Sequence, residues 1–102
     1  MTFYLVMGPP ASGKSTWVRE RAQPGDVVID YDAIAQVLSP GDPYRAPTHI
    51  QTVTRAARQA AIDAALRLDG IPGDIYLIHS NPSEKLRTRY LAHDAELVTV
   101  DP

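Results

Sequence analysis

Eight consecutive residues carry the strongest chemical signal in the chain. Gly8, Pro9, Pro10, Ala11, Ser12, Gly13, Lys14 and Ser15 fit G-x-x-x-x-G-K-[ST] with no mismatch. Four restricted positions coincide by chance only on the order of a few times per thousand in a chain of this length. Each fixed position has a physical task. Gly8 and Gly13 let the backbone turn tightly and approach an anion that a Cβ would hold off. Amide N–H groups from about Ser12 to Thr16, Ala11 lying just before them, can converge on a phosphate at the positive end of a helix. Pro9 and Pro10 offer no N–H and stiffen the start of the loop. Lys14 reaches outer phosphates as a point charge. The Ser15 hydroxyl suits Mg²⁺ bridging those phosphates.

Asp30 and Asp32 form the second constellation. They follow Val27, Val28 and Ile29, a short apolar run that reads as a strand. Carboxylates at the carboxyl end of a strand lie on the edge where open α/β sheets bind ligands. If the backbone there stays extended, both share a face. If Asp32 opens the next helix, it serves as its N-cap. Other candidates have plainer readings beside the functional ones. Arg45 can contact an acceptor phosphate and Tyr44 can stack on a base, though their loop also reads as a surface connection. Arg55 and Arg58, three apart on a helix, can face an anionic substrate; a solvated face is the default. His49 reads as an exposed first-turn residue. Arg87 and Arg89 read as surface charges before they read as nucleotide or acceptor contacts. Trp17 reads as core before it reads as a base-stacking platform.

The elements that must position these groups alternate strand and helix. Phe3 to Met7 is a continuous apolar run, expected as a buried strand leading into the loop. A helix is expected from about Gly13 to Ala22, stopped by Pro24 and Gly25. Ala33 to Leu38 is helix-compatible. Ser39 to Pro47 is a proline-rich loop that can act as a flap. Thr48-x-x-Gln51 has the form of a capping box, opening a helix from about His49 to Asp69. Its expected apolar face is Ile50, Val53, Ala57, Ala60, Ala64 and Leu68, broadened by Ala61, Ala65 and Leu66. Asp74 to Ile78 is a third strand, ending in His79 and Ser80. Asn81, Pro82 and Glu84 signal another helix start, with Asn81 as cap. Ala95 to Val100 is a fourth strand.

Composition bounds the class. With 102 residues the chain suits one small domain. It has no cysteine, which removes disulfides and thiolate metal sites and, with the nucleotide motif, favours the cytoplasm. It has no long apolar run to span a membrane. A net charge of −2 gives no global basic field for nucleic acid.

Residues 3–38, from the glycine-rich loop to the helix after Asp30-Tyr31-Asp32, resemble the front half of small P-loop kinases of the P-loop NTPase superfamily. Phage-type polynucleotide kinases, with their zeta-toxin and gluconate-kinase relatives (AAA_33-type ATP-binding domains), are the nearest type. The resemblance implies an α/β three-layer fold, and the strand pattern predicts a parallel sheet in order 2-3-1-4 with right-handed crossovers. The resemblance also implies ATP or another NTP, and Mg²⁺, as ligands. Gly8, Ala11, Ser12, Gly13, Lys14, Ser15 and Thr16 would bind the nucleotide, with Ser15 and Asp30 at the metal. Lys14 and Asp32 would be catalytic, Asp32 by taking the proton of the attacking hydroxyl. The acceptor is left open between a nucleic acid 5′-hydroxyl and a small molecule. His79 and Ser80 depart from the class, whose third strand usually ends in an acidic residue that organises Mg²⁺. No arginine-bearing lid follows the fourth strand, so a single nucleotide-binding domain, the N-terminal or incomplete part of a longer protein, is expected. The leading expectation is an ATP- and Mg²⁺-dependent phosphotransferase. The alternative is a nucleotide-binding or ATPase module of a larger, DNA-processing protein, without kinase activity.

Overall fold

The computed structural model describes residues 1–101. Four strands, β1 (Phe3–Met7), β2 (Val27–Ile29), β3 (Ile75–Ile78) and β4 (Glu96–Thr99), form one sheet in the order β2-β3-β1-β4. Every pairing is parallel. The helices between them are α1 (Lys14–Arg19), α2 (Tyr31–Leu38), α3 (Thr48–Leu66) and α4 (Glu84–Ala92), with a 3-10 turn at Pro43–Arg45. None of the described helices is long and apolar enough to cross a membrane.

Strand parity divides the core in two. Phe3, Leu5, Ile29, Ile75 and Leu77 point to the face covered by α3 and α4, where they meet Ile62, Ala65, Tyr90 and Ala95. Val6, Tyr76 and Ile78 point the other way and meet Val18 of α1. Trp17 packs there too, edge-on to Tyr4 and Tyr76, with the Arg21 guanidinium 4.0 Å from its ring centroid. It is therefore part of the sheet packing, and it does not line the main cleft. The sheet is anchored at the opposite end from the cleft by Asp26, whose carboxylate accepts from the N–H groups of Asp74 and Gln23, both at 2.8 Å.

Several helix starts differ from the sequence expectation. The cap of α2 is Asp30, not Asp32: its backbone is extended and its carboxylate accepts from the Asp32 N–H at 3.1 Å. The Thr48 capping box does not form. Pro47 occupies the cap position without a side-chain bond, and Gln51 donates instead to the Ala46 carbonyl at 2.8 Å. Ser83, not Asn81, caps α4, accepting from the Leu86 N–H at 3.2 Å. The first helix is shorter than expected, ending at Arg19.

The buried face of α3 follows the expected one in part, with Ala65 buried and Ala61 and Leu66 packed on the core. Thr54, Ile62 and Ala65 are buried, while Val53 is 52% exposed and Leu68 is exposed. Thr54 is tolerated inside because its hydroxyl donates to the Ile50 carbonyl at 2.7 Å, leaving the methyl to the core. A helix this rich in alanine gives its phase weakly, since alanine is at home on either face.

Candidate functional site

A cleft of about 610 Å³ opens at the carboxyl ends of the strands. The strand order dictates what lines it. The loop after β1 brings Pro10 to Thr16, the turn after β2 brings Asp30, Tyr31 and Asp32, and the end of β3 brings His79, Ser80 and Asn81. Arg55 and Arg58 enter from α3, and Tyr44 from the 3-10 turn. The two arginines expected on a solvated face therefore face the cleft. So does Tyr44, and Asn81 lines the cleft where a helix cap was expected.

The glycine-rich loop has the conformation its sequence requires. Gly8 (φ 148°) and Gly13 (φ 93°) lie where L-residues are strained. A Cβ on Gly8 would collide with the Val100 carbonyl oxygen, because β4 runs directly beside the loop. Gly8 lies under the loop and gives its carbonyl to Lys14. Lys14, only 8% exposed, donates to the carbonyls of Gly8 (2.9 Å) and Pro9 (2.7 Å). Its ammonium thus rests inside its own loop, hydrogen-bonded by two carbonyls. The Ser12 N–H is engaged by the Pro9 carbonyl at 3.2 Å. The first-turn amides of α1 have no acceptor within the helix.

Ser15 donates its hydroxyl proton to the second oxygen of Asp30 at 3.0 Å. This contact joins the β1 loop to the β2 turn and sets two hard oxygen donors side by side. Such a pair suits Mg²⁺, which keeps several waters and takes further oxygens from phosphates. Among the described residues no group of three or more acidic, histidine or cysteine side chains stands close enough to cage a metal unaided. Asp32, in the first turn of α2, lines the same cleft. Burial, and then the neighbouring Asp30 carboxylate, push its carboxyl above the usual range, against the pull of the Tyr44 hydroxyl and the Lys14 charge.

His79 is half-buried. Burial first, then the Arg58 charge, hold its imidazole below the usual histidine range, which favours the uncharged ring. Its Nδ1 has no hydrogen-bond partner, and neither does the Nε of Arg58. The Arg58 guanidinium lies 5.3 Å from the Tyr31 ring centroid. Four other candidates stand apart from the cleft. Arg45 approaches Asp42 at 3.9 Å, Arg89 pairs with Asp63 at 2.8 Å, and His49 and Arg87 are exposed.

Known proteins agree with this architecture. A chain of a solved structure described as the Pnkp1/Rnl/Hen1 complex superposes with a TM-score of 0.68 at 18% identity. The match covers 99% of this chain and 36% of that one, so the chain spans about a third of its structural neighbour. At that identity the likeness is one of fold, the parallel α/β fold of P-loop NTPases. No curated protein matches the chain in sequence. The family model AAA_33, an AAA domain, matches residues 4–70, which include the glycine-rich loop, both aspartates and both cleft arginines, but not His79. That match spans most of the chain, and the chain belongs to the AAA_33 family of AAA domains.

Proposed function

We propose that the chain binds ATP with Mg²⁺ and transfers the γ-phosphoryl group to a hydroxyl acceptor. The observation that carries this reading is the union, in one cleft, of the phosphate loop with the Asp30–Asp32 turn. The loop amides and Lys14 would hold the phosphates, the ammonium exchanging its two carbonyls for phosphate oxygens. Ser15 and Asp30 would hold the metal, which when bound neutralises charge on the phosphates. Asp32 would orient the acceptor hydroxyl and take its proton. The acceptor's oxygen would form the new bond to the γ-phosphorus, the bond from that phosphorus to the β,γ-bridging oxygen would break, and ADP would leave with the electron pair. The raised affinity of Asp32 for a proton suits a base that must accept one.

Phosphoryl transfer to a panel of 5′-hydroxyl oligonucleotides and small polyols tests the assignment. Asp32→Asn is expected to lower transfer by about 10²- to 10⁴-fold. Unchanged transfer in a folded, ATP-binding variant contradicts the assignment. One observation favours a second reading, a nucleotide-binding or ATPase module without transfer: His79, its uncharged ring favoured, ends β3, where small P-loop kinases usually carry an acidic residue. ATP binding with hydrolysis alone, and no phosphorylated acceptor in the panel, selects it.

A further inference from the structure

Tyr44 reaches the cleft on a strap, residues 39–47, that joins α2 to α3. From Asp32 to Leu38 the helix carries the chain about 9 Å along its axis, at roughly 1.5 Å per residue. The strap then turns back, and its 3-10 turn packs against α2. That return sets Tyr44 on the same cleft wall as Asp32. The turn is fastened at several points. The Asp42 carboxylate accepts from the Tyr44 N–H at 2.9 Å, and the Asp42 carbonyl accepts from the Arg45 N–H at 3.0 Å. Gln51 of α3 holds the strap's far end through the Ala46 carbonyl.

Burial does not explain why Tyr44 is held there. The residue is 76% exposed, so it contributes little apolar area to the core. What the position does achieve is a contact between the Tyr44 hydroxyl and the Asp32 carboxylate. Asp32 is the group read above as orienting the acceptor hydroxyl and taking its proton. The loop hydroxyl of Ser15 is turned to Asp30 instead. The cleft thus comes with a hydroxyl of its own, set by the strap at the place where an acceptor hydroxyl belongs.

We propose that Tyr44 is a site of self-phosphorylation, its hydroxyl serving as an internal acceptor in the cleft. This rests on the reading of the cleft as a phosphotransferase site and gives that site a substrate within the chain. Asp32 takes the phenolic proton, and Tyr44 Oη forms the new bond to the γ-phosphorus. The bond from that phosphorus to the β,γ-bridging oxygen breaks, and ADP leaves with the electron pair. The step is intramolecular, because strap and Asp32 belong to one chain. A hydroxyl already held in place reacts without the entropic cost of bringing two molecules together. The openness of Tyr44 to solvent leaves room for the phosphate once it is attached.

Incubation of the chain with ATP and Mg²⁺, followed by intact-mass measurement and peptide fragmentation, tests the inference. The expected result is a gain of one phosphate, located on Tyr44, at a rate that does not change as the protein is diluted. Tyr44→Phe is expected to abolish the gain, and Asp32→Asn to slow it by about 10²- to 10⁴-fold. Circular dichroism and ATP titration of both variants separate loss of the acceptor or base from loss of folding or of the nucleotide site. Phosphate found on another residue, uptake by Tyr44→Phe equal to wild type, or a rate that falls on dilution overturns the inference. The panel of oligonucleotides and polyols, run beside it, separates the two readings. If panel acceptors are phosphorylated and Tyr44 is not, self-phosphorylation is overturned and the phosphotransferase reading survives. If ATP is bound and neither Tyr44 nor any panel acceptor takes up phosphate, both fall.

Discussion

Lys14 and His79 mark the two ends of what single residues in this cleft do. Lys14 is buried in its own loop and held by carbonyls, a position that keeps a cation satisfied without a carboxylate. His79 has its uncharged ring favoured by burial and by Arg58. That shift makes stability depend on pH. Between the lowered pKa of the folded state and the ordinary value near 6.5, the unfolded chain binds a proton that the folded chain refuses. The contribution of His79 is thus fully present above about pH 6.5 and is lost as pH falls below it. Thermal melts of the wild type from pH 7.5 down to 5 are expected to show Tm falling, and His79→Gln is expected to flatten part of that fall. Identical slopes in the two proteins would show that the imidazole titrates alike folded and unfolded. Asp32, whose carboxyl is shifted upward, acts in the opposite sense at lower pH, so the comparison with the variant is what isolates the histidine.

The secondary elements were legible to different degrees, for local physical reasons. The strand runs and the glycine-rich loop are written in contiguous residues, and their order along the chain needs no partner to read. Helix caps depend on a single residue's backbone angles. Asp30 and Asp32, Asn81 and Ser83, and Pro47 and Thr48 are each competing choices whose outcome is decided by how the chain leaves the preceding strand or loop. The phase of α3 was harder still. Its alanines fit either face, and the buried position Thr54 looks polar until its hydroxyl is seen bonded to the Ile50 carbonyl. A solvated face for Arg55 and Arg58 was the default for helix charges, and their spacing alone does not show that the cleft lies on that side. The observed phase makes a stability prediction. Ile62, 1% exposed, is expected to cost about 2–5 kcal/mol on truncation to alanine. Val53→Ala, at a surface position, is expected to change stability by no more than about 0.5 kcal/mol. Denaturant titration of both variants checks this, and equal losses would place α3 in the phase that the spacing of its apolar residues first indicated.

At the scale of the whole molecule, the parallel order β2-β3-β1-β4 is the feature from which the site follows. It was legible because alternating strands and helices, joined by right-handed crossovers, allow few arrangements. The order sets the phosphate loop, His79 and the two aspartates along one edge, with α3 closing the far wall. The contacts across that edge were not legible, since Ser15 and Asp30 lie 15 residues apart and meet only once β1 and β2 are in one sheet. The account as a whole depends on the phosphate loop being a working nucleotide site. Calorimetric titration of the chain with ATP and ADP, with and without Mg²⁺, beside Lys14→Ala, tests this most directly. The account predicts saturable binding that Mg²⁺ strengthens for ATP and that Lys14→Ala weakens by about tenfold or more, as expected for a buried charge on phosphate. Well-folded protein that binds neither nucleotide, or binds both equally well without Lys14, would contradict it.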